Sequence, residues 1–529
     1  MDSTQLVQIR KDFYLNIRKR VESILGQETR ELKSYRESYD REIAKSPWQA
    51  VDKRHLFARL KQAEIVIVGD FHAQKQSSRG FLRVIRKIKP PFVIALECLR
   101  VGDQPSVDAF LAGELTEKDF LTKVAWKKNW GFPWENYKPV FKWAQQNRIR
   151  IFGINAQGDA KTLGERDRIS AAIIQKIYQQ TKQKIFIQYG ELHLASAHLP
   201  KAIKRVLPKV NQCVIYQSPE ALYFKIMESH KELSTDVVRL GPDIWALNGL
   251  PPWVKWQDFL LHLESGYDKR IKILDVDPTD TVAHSVNFFS QAFGLKTDSS
   301  ALSVYFSDDD KFFNIVEKSP TALKKKIIEN CQEGVSFYIP ELQCGYLARY
   351  SANHVTRIAA QYIYFKENCF LKTILDPKKD FAKMIWFEAV IYFFSKIKNP
   401  KRKTDTLQDI RNSLQKEQFD DRGKEALMLS LTQKLSELQF LSQGKFKTLS
   451  DSDLKKYGKK SFSTSAQIIG GIMGEKIFYA FSKKLIRLPQ NRALIFKNLQ
   501  SPSFARIYYE SLEIIESWPV SFKSKYDKL

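Results

Sequence analysis

Short apolar runs alternate with longer segments of helical spacing through residues 51–228. Residues such as Phe81, Leu82, Ile85 and Ile88 repeat every three or four positions between the first two runs. This alternation predicts an α/β domain with a largely parallel sheet and flanking helices. We expect the last two strands to form a hairpin. The predicted strands are Ile65–Val68, Phe92–Leu96, Ile149–Ile154, Ile185–Tyr189, Val214–Gln217 and Leu222–Ile226.

The connection at residues 101–147 is too long for an ordinary loop and contains several short helical patterns. We interpret it as a helical cap insertion over the edge of the sheet where a ligand would bind. Its tryptophans most often indicate packing, but they would also enclose a flat apolar ligand. They are Trp126, Trp130, Trp134 and Trp143.

Helical spacing also marks both ends of the chain. Residues 1–50 predict an N-terminal helical extension, and turn signals at 229–300 indicate a junction. Residues 301–529 predict a separate, mostly α-helical C-terminal domain after a short strand at Leu302–Phe306. A chain of 529 residues exceeds one hydrophobic core, which agrees with several domains.

The net charge of +26 favours an acidic partner. The basic residues are spread along helices and accompany no nucleic-acid-binding motif, so we expect a solvated basic surface and no nucleic-acid function. Contact with an anionic membrane surface stays open, as does a homodimer.

The five cysteines form no CxxC pair, which favours a reducing compartment. No apolar run approaches the roughly 20 residues that span a bilayer, and the N-terminus has no apolar signal segment. We therefore expect a cytoplasmic protein.

Two predicted strands end in the same order of residues: glycine, acid, apolar residue, histidine. Gly69-Asp70-Phe71-His72 follows the first strand, Gly190-Glu191-Leu192-His193 follows the fourth, and Glu97 ends the second. Because parallel strands end at one edge of a sheet, we expect these side chains to share a site. Such a set suits metal binding, with His72, Glu97 and His193 as ligands, or general-base chemistry.

The alternatives to a site are structural. In one alternative, Asp70 and Glu191 only cap the helices that follow them. His198 lies slightly more than one helical turn beyond His193 and is a further candidate.

Several motifs together resemble the ChaN-like proteins of the haem-binding uptake and Tiki superfamily. In order they are VGDFH, IALE, FLAGELTEKDFL, WGFPWENYKPVFKWA, the RD of GERDRISAA, and YGELHLASAHLP, over about residues 60–218. The resemblance implies an α/β fold, a haem or iron ligand, and functional roles for Asp70, His72, Glu97, Glu191 and His193. It also implies ligand-binding roles for Arg166 and Asp167, with Tyr189, Tyr137 and Tyr216 as candidate ligands of haem iron.

The sequence departs from this family in two respects. ChaN proteins usually carry Gly-Glu at the first motif, where this chain has Gly69-Asp70. They are also typically exported lipoproteins, so the missing signal segment argues against a role in iron uptake at the outer membrane. Relatives in the superfamily include hydrolases, and fold similarity does not decide between these functions.

Two other stretches carry weaker signals. IKILDVDPT fits the Asp-x-Asp-x-Thr pattern of haloacid-dehalogenase-like enzymes with Asp275 as nucleophile, but a turn before a helix explains it better. Tyr346, Tyr350 and His354 would share one helix face, where core packing is the simpler interpretation.

The leading functional prediction is a ChaN-like protein that binds haem or iron at the carboxyl edge of the sheet. The alternative is a hydrolase that uses zinc, manganese or another divalent metal held by His72, Glu97 and His193, with Asp70 or Glu191 as the base.

Overall fold

The computed structural model describes residues 3–527 except 156, 157, 159, 265–277, 308, 350, 368–373, 416–420, 446–454 and 489. The chain divides into two compact units, Tyr14–Leu274 and Met1–Phe13 with Asp275–Lys528.

The first unit alternates strands and helices. Its strands are β1 (Gln49–Val51), β2 (Ile65–Asp70), β3 (Phe92–Arg100), β4 (Ile151–Asn155), β5 (Lys184–Gly190), β6 (Gln212–Gln217), β7 (Val237–Arg239) and β8 (Ile244–Leu247). Its helices are α1 (Ser3–Leu25, shared with the second unit), α2 (Arg30–Lys45), α3 (Lys53–Gln62), α4 (Lys75–Ile85), α5 (Gln104–Ala112), α6 (Glu117–Lys123), α7 (Trp126–Asn129), α8 (Trp134–Gln146), α9 (Leu163–Thr181), α10 (Leu199–Val206), α11 (Glu220–Glu228) and α12 (Pro252–Glu264). Short 3₁₀ turns follow β3 at Val101–Asp103 and β5 at Glu191–Leu194.

The eight strands form one sheet in the order β1-β7-β8-β6-β2-β5-β3-β4. The ladders from β8 to β4 are parallel, whereas β1 and β7 add an antiparallel edge. The predicted largely parallel sheet is therefore confirmed. Since β2 and β5 are in register from Ile65 opposite Ile185 to Asp70 opposite Gly190, their two motifs leave the sheet side by side.

Alternate residues of the central strands enter different cores, because successive side chains of a strand point to opposite faces. In β2, Val66 and Val68 pack with α4 and the helices α5–α8, while Ile65 and Ile67 pack with α2, α9, α10 and α11. The helices α5–α8 occupy the predicted cap insertion and supply many of the aromatic residues of the first core.

The predicted hairpin after β6 is wrong. Leu222–Ile226 lies in α11, with Leu222 and Ile226 buried against the sheet. A five-residue apolar run fits a buried strand and a buried helix turn equally well. Glu220 after Pro219 begins the helix, and the chain returns to the sheet through β7 and β8.

The second unit is mostly helical, as predicted, with a small sheet in the order β10-β11-β9. Its further helices are α13 (Pro278–Phe293), α14 (Asp310–Glu317), α15 (Thr321–Gln332), α16 (Ala352–Glu367), α17 (Phe381–Lys398), α18 (Leu407–Gln415), α19 (Asp421–Gln443), α20 (Lys459–Ser482), α21 (Arg492–Ile495) and α22 (Phe504–Ser517). The strands are β9 (Ser303–Phe306), β10 (Phe337–Ile339) and β11 (Cys344–Leu347), and 3₁₀ turns lie at Pro340–Leu342 and Lys525–Asp527.

Close packing of α17 on α20 holds the centre of this unit. A Cβ on Gly474 would lie 2.4 Å from the Ala389 carbonyl oxygen, so only glycine allows this approach of the two helices.

Tyr346 lies on β11 and His354 on α16, so the two do not share one helix face as predicted. Tyr350 lies outside the described residues. Among the described helices, none has the length and apolarity to cross a bilayer.

Candidate functional site

The first motif leaves β2 with Asp70 facing the cap and His72 beside it. His72 Nδ1 lies 3.0 Å from Asp70 Oδ2, and the Tyr137 hydroxyl of α8 donates to the same oxygen at 2.8 Å. Desolvation lowers the pKa of His72, but the hydrogen bond and charge of Asp70, together with the charge of Glu97, raise it above its usual value overall. The Asp70 contact occupies Nδ1. The other ring nitrogen, Nε2, lies on the side of Glu97.

Glu97 is a buried carboxylate at the centre of the cluster. Its Oε1 accepts from the Arg166 guanidinium of α9, and its Oε2 accepts from the Gly190 backbone N–H at 2.6 Å. Burial raises the pKa of this carboxyl, but the positive charge of Arg166, followed by smaller contributions from His72 and His193, brings it below its usual value. Glu97 is therefore an anion at neutral pH, held by a paired cation.

The second motif takes its carboxylate from another element. His193 Nδ1 lies 2.6 Å from Oδ1 of Asp167 on α9, and the Tyr35 hydroxyl of α2 donates to Asp167 Oδ2 at 2.9 Å. The His198 ring stacks on the Tyr35 ring at 3.8 Å. His198 therefore packs beside the cluster and is separated from it by Tyr35.

Gly190 is where the two motifs and Glu97 converge. A Cβ built there would lie 3.3 Å from His72 Nε2, 3.4 Å from Glu97 Oε2 and 3.4 Å from His193 Cδ2. His72 Nε2 lies 3.9 Å from Glu97 Oε2. The structure thus brings together both imidazoles and Glu97 around a position that has no side chain.

Glu191 does not join this cluster. It lies one residue past Gly190 and turns toward α2 and the end of β6, where its Oε1 accepts from the Tyr39 hydroxyl at 2.8 Å and its Oε2 from the Gln217 backbone N–H at 3.0 Å. Burial raises the pKa of Glu191 to about 7, although Lys255 and these hydrogen bonds oppose the shift. A Cβ on Gly69 would lie 2.6 Å from Glu191 Oε2, so Glu191 fills the space beside that glycine.

The tyrosines considered as iron ligands are all fully buried and hydrogen-bonded. Tyr189 bonds to Ser170 at 2.9 Å, Tyr137 to Asp70, and Tyr216 to Glu42 at 2.7 Å. Burial, supported in each case by a nearby carboxylate, raises the pKa of all three hydroxyls. Their environment does not suit a tyrosinate ligand to haem iron.

Aromatic rings line the open side of His72. The Trp130 ring lies 4.6 Å and the Phe132 ring 5.2 Å from the imidazole, both between α7 and α8. Phe132 stacks in turn on His262 of α12 at 5.2 Å. The His72 side chain is 26% exposed, against 9% for His193, so His72 is the more accessible imidazole.

Several of these partners were not identified in the sequence. Tyr35, Tyr39 and His262 come from elements distant in the chain, and no local pattern distinguishes them from other core residues. Trp130 belongs to the aromatic cap that the sequence indicated, but its contact with His72 depends on how the cap folds.

In the part of the chain that the structure describes, no group of three or more His, Cys, Asp or Glu side chains has an arrangement that could hold a metal ion. Asp275 of the haloacid-dehalogenase-like pattern lies outside the described residues.

Fold and site together define an α/β protein with a polar cluster at the carboxyl edge of a largely parallel sheet. Residues 56–171 match the family described as haem-binding uptake, Tiki superfamily, ChaN. A solved structure described as cofacial haem binding to ChaN of Campylobacter jejuni is similar to 32% of this chain and 88% of its own length, at 13% identity and a TM-score of 0.28. No curated protein matches the chain.

Proposed function

We propose that the chain binds haem and that His72 is the side chain that would hold the iron. The match of residues 56–171 to a haem-binding uptake family supports the class of ligand. The observation that carries the choice of residue is the orientation of His72. Its Nδ1 is engaged by Asp70, which leaves Nε2 as the nitrogen available to a ligand.

The surroundings of His72 fit a flat, largely apolar ligand. The Trp130 and Phe132 rings border the imidazole and would pack against a macrocycle. Asp70 fixes the tautomer and increases the basicity of the imidazole, as hydrogen-bonding partners of ligating histidines do. The nearby Arg166 is a cation within the same cluster, although Glu97 already pairs with it.

Haemin titration followed by absorbance tests this proposal. We expect a saturable Soret shift that His72→Ala abolishes, while His55→Ala retains it because His55 is exposed on α3 and belongs to neither motif. Tyr189→Phe should also retain the shift. If His72→Ala binds haemin as the wild type does, His72 is not the ligand.

A second candidate function is metal-dependent hydrolysis. The observation that favours it is the pair of carboxylate–imidazole contacts, Asp70 with His72 and Asp167 with His193, because metal-binding histidines usually donate their second nitrogen to a carboxylate. In this candidate His72, His193 and Glu97 would have to move closer together to hold the metal, since the described side chains are not arranged as a metal site, and Asp70 would orient its histidine. Glu191 would not act as the base, since its two oxygens are held by Tyr39 and Gln217 and not by the cluster.

Metal analysis separates the two candidates. Stoichiometric zinc, manganese or iron that is lost in His193→Ala, without a Soret shift on adding haemin, favours the hydrolase. Haemin binding that persists in His193→Ala and fails in His72→Ala favours the haem protein. The two histidines are therefore the most informative pair of variants.

A further inference from the structure

The helices α9 and α10 present a group of exposed cations with no carboxylate among them. We call this group the basic face, and it consists of Lys176 on α9, Lys201, Lys204 and Arg205 on α10, and Lys209 in the loop after α10. Between Asp167 and Glu220 the sequence contains a single acid, Glu191, which is buried. The solvent side of this part of the chain is therefore strongly positive.

The two helices that carry the basic face pack side by side. Gln175 Nε2 of α9 donates to the Val206 carbonyl oxygen of α10 at 2.9 Å, and both helices bury apolar residues in the same core. Lys176 follows Gln175 in the chain, and Arg205 precedes Val206, so cations from both helices flank this contact. The cations of α9 and α10 therefore lie on one side of the first unit.

The stability of α10 does not explain where its cations are. The helix dipole favours cations in the last turn, which accounts for Lys204 and Arg205. The same dipole disfavours Lys201, which lies in the first turn. Lys201 and Arg205 also repel each other, because residues four positions apart are neighbours on a helix surface. An anion outside the protein would offset this repulsion.

The protein itself does not supply that anion. Within the described ranges of the chain, no carboxylate forms an ion pair with any cation of the basic face. Exposed cations on other helices are paired, as Arg506 is with Glu510 at 2.8 Å. Glu64 lies near the loop after α10, but its oxygens accept from the Asn211 backbone N–H at 3.0 Å and from the Tyr178 hydroxyl. The positive charge of the basic face is therefore uncompensated.

We propose that the basic face docks on the surface of an anionic lipid membrane. A cluster of about four to eight basic residues is typical of surfaces that bind anionic lipids, because each cation near the headgroups adds to the attraction. Four of the five cations are lysines, and a lysine ammonium is a compact charge that suits headgroups in no fixed arrangement. No large apolar residue of α9 or α10 is exposed, so the contact would be electrostatic and would need no insertion into the lipid.

The composition of this face favours lipid over nucleic acid. The exposed residues of α9 and α10 include no aromatic ring that could stack on a base. The face is also separate from the candidate haem site. Lys209 lies three residues before β6 begins, at the amino edge of the sheet, whereas His72 follows the carboxyl end of β2. Membrane docking is therefore independent of haem binding at His72.

Co-sedimentation of the full chain with lipid vesicles tests the proposal. At about 0.1 M salt we expect binding to vesicles of phosphatidylserine and phosphatidylcholine, and none to vesicles of phosphatidylcholine alone. The combined substitutions Lys201→Gln, Lys204→Gln and Arg205→Gln should weaken binding about a hundredfold, because three charges leave the surface.

A matched control removes the same number of charges elsewhere. Lys118→Gln, Lys123→Gln and Lys128→Gln together lower the net charge equally, and these lysines are exposed on α6 and α7. This control variant should bind vesicles nearly as the wild type does.

Further measurements separate charge from the identity of the side chains. Lys201→Arg with Lys204→Arg keeps both charges and should retain binding. Raising the salt concentration to about 0.5 M should remove most of the binding, because salt screens the attraction between exposed charges. His72→Ala should bind vesicles as the wild type does.

Three outcomes would overturn the proposal: no binding of the folded wild type to phosphatidylserine vesicles, equal binding to phosphatidylcholine alone, or equal losses in the α10 variant and the control variant. Tighter binding to a double-stranded DNA oligonucleotide than to the anionic vesicles would also contradict it, since the face would then belong to a nucleic-acid partner. Thermal unfolding of each variant checks that the protein is folded.

Discussion

The two copies of the Gly-acid-x-His motif have the same order of residues but different contacts. In the first copy, Asp70 hydrogen-bonds the histidine of its own motif. In the second, Glu191 bonds to Tyr39 and Gln217, and Asp167 from α9 takes its place beside His193. The difference arises at the end of each strand: after β2 the acid is the last strand residue, whereas after β5 the strand ends at the glycine.

This comparison separates two kinds of buried carboxylate. Glu97 has the cation Arg166 beside it and a lowered pKa, and Glu191 has hydrogen-bond donors but a pKa raised to about 7. Position at a strand end therefore does not fix the ionisation of an acid. The balance between burial and opposing charge does: Arg166 outweighs burial at Glu97, whereas burial outweighs Lys255 and the hydrogen bonds at Glu191.

The largest expected effect is the loss of the Glu97 charge. Glu97→Gln leaves the Arg166 guanidinium without its carboxylate and should lower the free energy of unfolding by about 3 kcal/mol. Glu191→Gln should cost only about 1 kcal/mol at pH 7, because the Glu191 carboxyl is then already partly neutral. Urea denaturation of both variants measures the difference, and equal losses would contradict the distinction between the two acids.

The next effect is the pH dependence that Glu191 adds to stability. Its pKa is about 4.5 when unfolded and about 7 when folded, so the folded state binds the proton more tightly. The contribution is fully present below pH 4.5 and is lost as the pH rises through 7. From pH 5 to pH 8 the wild type should lose about 2 kcal/mol of unfolding free energy relative to Glu191→Gln.

Urea denaturation of the wild type and Glu191→Gln at pH 5 and pH 8 measures this loss. The ionisation of His72 is the same in both proteins, so its contribution cancels in the difference. Parallel pH profiles for the two proteins would show that Glu191 does not titrate there.

A smaller effect tests the tyrosines that hold the two aspartates. Tyr137→Phe removes the hydroxyl that donates to Asp70, and Tyr35→Phe removes the one that donates to Asp167. Each should cost about 1.5 kcal/mol, since one hydrogen bond to a carboxylate is lost and the ring remains. Thermal or urea unfolding measures both. Tyr526→Phe is a control, because that side chain is 60% exposed.

The sheet could be predicted because its central strands are buried on both faces and therefore appear as continuous apolar runs. The strands β7 and β8, Val237–Arg239 and Ile244–Leu247, are too short to show such a pattern. The run Leu222–Ile226 was assigned to the wrong element because its length carries no periodicity that separates strand from helix. The small strands β10 and β11 were missed because, like β7 and β8, they are too short to show an apolar pattern.

The sequence indicated where the candidate site lies, but not which other side chains its residues contact. Strand ends place His72, Glu97 and His193 at one edge, because parallel strands share their direction. The contacts of Glu191 depend on where β5 stops, which the sequence does not mark to within one residue. The partners Tyr35 and Tyr39 come from α2, whose packing on the sheet is a tertiary contact without a local signal.

The smallest effect concerns the pairing that distinguishes the first motif. Asp70→Asn keeps the size of the side chain but removes its charge, so the pKa of His72 should fall. Glu191→Gln should leave that pKa unchanged, because the charged groups that shift it are Asp70, Glu97 and Arg166, and Glu191 bonds to Tyr39 and Gln217 instead. NMR titration of the His72 ring protons in both variants measures the shift. If Glu191→Gln moves the pKa of His72 as far as Asp70→Asn does, the two motifs share one electrostatic environment, and the separation of Glu191 from the cluster is wrong.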